Sequence, residues 1–193
     1  MNKQGLLRSI AETGYNVGFG AKKNFATYDI VQKAPGLIGF ASLVVGVFAL
    51  ICEPLNSKWI AATLVVFGIA SLYVTQYDYN KTAFCDEGER LTALFYRLRD
   101  LYRDVQATGE NDDLSAYRMY LDAIQSEVFS SNQSKQILFS DWYAHYKFFW
   151  QHQIEWVDEQ KKFTLWRDKI PLSLMFAVAT VLMMIIVCAI IFF

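Results

Sequence analysis

Three apolar runs that contain no Asp, Glu, Lys, Arg or His limit what this chain can fold into. They are residues 35–52 (PGLIGFASLVVGVFALIC), 59–75 (WIAATLVVFGIASLYVT) and 170–193 (IPLSLMFAVATVLMMIIVCAIIFF). Each approaches the roughly 20 residues that cross about 30 Å of hydrocarbon at about 1.5 Å per residue. One such run could be a buried core helix, but three are too many for a soluble domain within 193 residues. Only Glu53-Pro54-Leu55-Asn56-Ser57-Lys58 separates the first two, so they read as a helical hairpin. The sequence thus predicts an all-α membrane protein in four parts. These are a helical leader (1–34), a transmembrane hairpin (35–75), a cytoplasmic helical domain (76–169) and a third, C-terminal transmembrane helix (170–193).

Composition agrees with this division. Hydrophobic residues make up 54%, above a typical soluble domain, yet 19% are charged, so a polar part must remain outside the spans. The net charge of −1 and the lack of a basic face argue against a nucleic-acid partner. The cysteines, Cys52, Cys85 and Cys188, are odd in number and widely spaced, with neither metal spacing nor a disulfide framework. No cleavable signal peptide is expected, because Lys3, Arg8, Glu12, Lys22, Lys23 and Asp29 precede the first apolar run.

Orientation follows from the cations. The leader carries five (Lys3, Arg8, Lys22, Lys23, Lys33), the hairpin tip one (Lys58) and the segment after the second span the remaining twelve. The positive-inside tendency places leader and central domain in the cytoplasm, with hairpin tip and C-terminus outward. Trp59, Tyr73, Tyr77 and Trp166 lie near the expected boundaries, where amphipathic rings prefer headgroups.

Within the central segment, Tyr77, Phe84, Leu91, Leu98 and Val105 recur every seven residues, the pattern of a helix that buries one side. No proline interrupts residues 59–105, so the second span is expected to continue into this helix as one rod, weakest at Gly88. A shorter helix with Tyr117, Leu121, Ile124 and Val128 on one face follows a turn at 108–113, and 130–134 reads as a loop. An Asn-Gln-Ser glycosylation match at 132–134 is without meaning in the cytoplasm. Residues 135–169 are expected as one aromatic helix whose seam is Trp142, Phe149, Trp156 and Phe163. That seam calls for partner helices, either the Leu91–Val105 stripe of the same chain or another copy.

Chemistry-bearing motifs are absent. His145 and His152 stand seven apart with Asp141 and Glu155 nearby, but nothing resembles HExxH, and solvated positions beside the seam explain them better than a metal. Gly14, Gly18 and Gly20 before Lys22 and Lys23 match no phosphate fingerprint. They read as a flexible juxtamembrane segment whose lysines sit on anionic headgroups. No enzyme, cofactor or metal is predicted. Uncharged spans also disfavour an ion-coupled transporter, which places ionisable groups inside the membrane. What the spans do carry is small residues: Gly39, Ser42, Gly46 and Ala49 in the first, Thr63, Gly68 and Ser71 in the second. Such residues permit close helix approach. They suit packing within the hairpin, contacts between protomers or the lining of a pore.

The order of parts is itself informative. The leader LLRSIAETGYNVGFGAKKNFATYDI, a two-span hairpin and the amphipathic KTAFCDEGERLTALFYRLRDLYRDV directly after it resemble the SLATT group over about residues 1–130. These are two-span effector domains associated with nucleotide-second-messenger synthases and nucleotide sensors in bacterial anti-phage systems. The resemblance implies an effector that a nucleotide or partner signal causes to form homo-oligomers and permeabilise the inner membrane. It supplies no catalytic residue, and the third span goes beyond the two-span plan. The alternative from another class is a membrane-anchored scaffold whose cytoplasmic helices recruit a partner.

Overall fold

The computed structural model describes residues 2–110, 112–129, 135–152 and 154–192, with the backbone alone at 188, 189, 191 and 192. The loop expected at 130–134, with its glycosylation match, lies outside the described residues, as do Asn111 of the expected turn and the side chain of Cys188.

Leader and first span form one helix, α1 (Lys3–Ala49), about 70 Å long at about 1.5 Å per residue. Asn2 caps it by accepting the Gly5 N–H at 2.9 Å. Pro35 lies inside the helix at the onset of the apolar run, where its ring removes the N–H that would reach the Val31 carbonyl. After a 3₁₀ turn at Glu53–Leu55, Ser57 accepts the Ile60 N–H at 3.3 Å and starts α2 (Lys58–Thr75), which returns along α1. The expected rod is interrupted by a 3₁₀ turn at Asp78–Asn80 before α3 (Lys81–Ala107) begins.

Below the hairpin the leader half of α1 and α3 lie side by side and supply most of the main core. Leu6, Ile10 and Val17 meet Leu94, Phe95, Leu98, Leu101 and Val105, all buried. The seven-residue stripe read from the sequence is therefore the buried face of α3. Its partner is the leader, which the glycines had suggested was flexible. Three further helices close this head domain: α4 (Ser115–Phe129) through Leu121 and Ile124, α5 (Ser140–Gln151) through Phe148 and Phe149, and α6 (Glu155–Lys161) through Trp156 and Val157.

The expected single helix over 135–169 is broken. His152 is extended (φ −108°, ψ 143°), and Lys162 is left-handed at φ 50°. Asp158 holds the second break by accepting the Phe163 N–H at 2.6 Å. A five-residue π-helical turn (Leu165–Lys169) leads to α7 (Leu172–Phe192), whose start is tied to α5 where the Trp142 indole N–H donates to Ser173 Oγ at 2.9 Å. No strand occurs among the described residues.

Candidate functional site

The hairpin carries the features that bear on function. In the apolar 18-residue windows at α1 and α2 only 6% of residues are buried, the reverse of a core helix. Leu37, Phe40 and Leu43 of α1, and Val65, Val66 and Leu72 of α2, are each more than 60% exposed. At about 25 cal/mol per Å² of apolar surface, such faces are stable only against lipid or other apolar groups. The two helices meet through a narrow seam of partly buried Ile38, Ser42, Val45 and Ala49 against Ile60, Leu64 and Ser71, ending at buried Val74.

The small residues do not act as one set. Ser42, Ala49 and Ser71 belong to the seam, and Gly46 borders it. Gly39, Thr63 and Gly68 are exposed. A Cβ built on Gly39, Gly46 or Gly68 meets no neighbouring atom within 4 Å. Close helix approach within the chain therefore does not account for these glycines.

Where α1 and α2 leave the head, a neck forms around Val31 and Val74. They form one buried cluster with Ile137, which is 3% exposed, with Ile30, Ala34 and Tyr77 packed against it. Beside this apolar plug lies a polar layer. Buried Thr27 donates to Gln136 Oε1, and the Gln136 amide donates to Oδ1 of buried Asn24 at 3.2 Å. Lys23 pairs with Asp141 at 2.8 Å. Asp29 accepts from Lys33 at 2.8 Å and also from Lys147, and the side chains of Asp29 and Lys147 are mostly buried. Burial alone would raise the Asp29 carboxyl, but hydrogen bonds and charge from Lys147 and Lys33 outweigh it and hold it below the ordinary carboxylate range. Lys22 lies over the Phe25 ring, and burial followed by the charge of Lys147 lowers its pKa. The lysines assigned to headgroups from the sequence thus turn into the head.

The aromatic seam divides at the helix breaks. Phe149 and Trp156 are buried in the core and Phe163 is packed against it, whereas Trp142 is only partly covered. Trp156 meets Phe95 at 5.2 Å and Tyr102 at 5.4 Å, on the Leu91–Val105 stripe. Phe149 packs on Phe163 and Phe148, both at 5.1 Å, on the side of Tyr15 of the leader. The two histidines are half-buried and pack on aromatic rings. His145 stands edge-on to Phe19 at 4.8 Å, and His152 lies 4.7 Å from Phe95. Burial, then the charge of Lys22, pushes His152 down to about 4, so it is neutral near pH 7. Among the described residues no group of three or more His, Cys, Asp or Glu side chains comes together.

Sequence reasoning missed the neck. Gln136, Ile137, Asn24 and Thr27 belong to no motif. Their only sequence signal is that small polar residues interrupt the apolar face of the leader.

A two-helix apolar hairpin rising from a helical, polar-surfaced head defines an all-α membrane protein. The chain belongs to the SMODS and SLOG-associating 2TM effector domain 6 family, whose family model matches residues 1–178. The match covers the leader, hairpin and head and the beginning of α7. No curated protein and no solved structure matches the chain.

Proposed function

We propose that this protein is a regulated membrane-permeabilising effector of bacterial anti-phage defence. On a nucleotide or partner-protein signal it assembles into homo-oligomers in the inner membrane and dissipates the ion gradient. In this reading leader and head are cytoplasmic, the hairpin crosses the membrane twice, and α7 adds a third crossing that ends outside. Membership of the two-span effector family supports an effector role. The observation that carries the permeabilising mechanism is the free surface around Gly39, Gly46 and Gly68, uncharged and untouched by the chain's own helices. Small residues facing outward from a span permit backbone approach by a neighbouring copy.

The experiment is inducible expression in bacteria with a membrane-potential dye. The intact chain is compared with the Gly39→Leu, Gly46→Leu double variant and with a chain truncated before Ile170. Depolarisation by the intact chain and its loss in the double variant is the expected result. If the double variant depolarises as fully as the intact chain, these glycines do not mediate assembly. Recruitment of a cytoplasmic protein by the head without any depolarisation favours a membrane-anchored scaffold instead.

A further inference from the structure

Gln136 and Ile137 lie at the neck, where α1, α2 and the head come together. Ile137 shares one buried apolar cluster with Val31 of α1 and Val74 of α2, separate from the main core. Gln136 beside it engages two buried polar side chains of α1, Asn24 and Thr27. Two residues on, Phe139 is left-handed (φ 68°, ψ −2°), a conformation that bulky side chains rarely adopt. Phe139 is 54% exposed, its ring resting on Trp142 at 4.8 Å, so burial of the side chain is not what holds the backbone there. A strained residue persists only where its surroundings over-determine it, and such residues gather at switch regions. Here the surroundings are the seated Ile137 and Gln136 on one side and α5 on the other, fixed by Lys23–Asp141 and Lys147–Asp29.

We infer that Gln136-Ile137 is a wedge that sets the spacing of the two span helices at the neck, with Phe139 as the strained hinge behind it. While the wedge is seated, α1 and α2 are held in one relation by a shared apolar plug. When it leaves, the cluster of Val31 and Val74 loses its third buried member, Asn24 Oδ1 and the Thr27 hydroxyl lose their partner, and the left-handed turn relaxes. The span helices are then free to change their crossing at the base of the hairpin. A movement of α5 relative to α1 is thereby transmitted to the spans. This goes beyond permeabilisation, and its test reads a distance, so failure of one leaves the other standing.

The test is a distance distribution between spin labels at exposed positions 32 and 76, one on each side of the neck. It uses the full chain in lipid nanodiscs, with Cys52, Cys85 and Cys188 replaced by Ser and labelled protein diluted with unlabelled. The parent protein gives one narrow distance. Ile137→Ala and Gln136→Leu each broaden it or add a second population, while circular dichroism and the melting transition of the main core persist. Phe139→Gly, which relieves the strain without removing the wedge, keeps the narrow distance. The inference is overturned if Ile137→Ala and Gln136→Leu both retain the parent distribution, or if Phe139→Gly broadens it as much as they do.

Discussion

The six-membered ring of Trp156 points its Cη2 edge at Gly14, so close that a Cβ added there would fall 2.2 Å from Cη2. The ring cannot step aside, because Phe95 and Tyr102 hold its other contacts. The leader's glycines are therefore contact surfaces of a helix. Glycine costs a helix interior about 1 kcal/mol relative to alanine, and overpacking a filled core costs about 1–3 kcal/mol. At Gly14 the second term wins. Gly14→Ala is expected to destabilise the head by about 1–2 kcal/mol. At Gly20 the nearest atom to an added Cβ is Leu91 Cδ1 at an ordinary 3.5 Å. Gly20→Ala should therefore stabilise by up to about 1 kcal/mol. Denaturant titration of both variants checks the opposite signs.

Phe149 tests the aromatic core. It is 9% exposed between Phe148 and Phe163. Phe149→Asp puts a carboxylate among packed aromatic rings and is expected to cost about 3 kcal/mol or more. Phe149→Leu keeps most of the apolar volume and should cost about 1 kcal/mol. Equal melting temperatures for Phe149→Asp and the parent would contradict the packing described.

The Asp29–Lys147 pair predicts a loss at acid pH. The folded Asp29 carboxyl titrates below its unfolded value, so its contribution is full above the ordinary carboxylate pKa and disappears as pH falls through the lowered one. Asp29→Asn leaves the mostly buried Lys147 without its carboxylate partner. It should cost about 1–3 kcal/mol at neutral pH and little at pH values where Asp29 is protonated in both states. Melting temperatures of parent and variant, followed from neutral to strongly acid pH, should converge.

His152 acts at higher pH and with the same sign. Its folded pKa of about 4 lies below the unfolded 6.5, so the unfolded chain binds the extra proton between these values. Stability is complete above about pH 6.5 and falls toward pH 4. The loss is at most about 3 kcal/mol, reduced by solvent screening on the open side of the ring. His152→Gln should remove the pH dependence in this window, which is distinct from that of Asp29.

Much of the architecture was legible from the chain alone, for a physical reason. Hydrocarbon fixes both the length and the charge of a crossing helix, so residues 35–52 and 59–75 announce the hairpin. The heptad Phe84, Leu91, Leu98, Val105 announces the buried face of α3 just as directly. The leader was misread because Gly14 and Gly18 weaken an isolated helix. Only a partner as large as Trp156, Phe95 or Phe148 reveals their use, and those partners are distant in sequence. The break between α5 and α6 carries no glycine or proline. The seven-residue recurrence of Phe149, Trp156 and Phe163 passes through it because all three reach one core from separate elements. The stripe of small residues in the spans was legible as composition. Its division between seam and free surface depended on how α2 rolls against α1.

The central claim is that the free face of the hairpin mediates assembly that opens the membrane. It is tested most directly by the membrane-potential signal of cells that express the intact chain together with its activating signal, against the Gly39→Leu, Gly46→Leu variant at equal membrane abundance. Depolarisation by the intact chain and a polarised membrane in the variant are expected. Depolarisation of equal size and rate in both would contradict it.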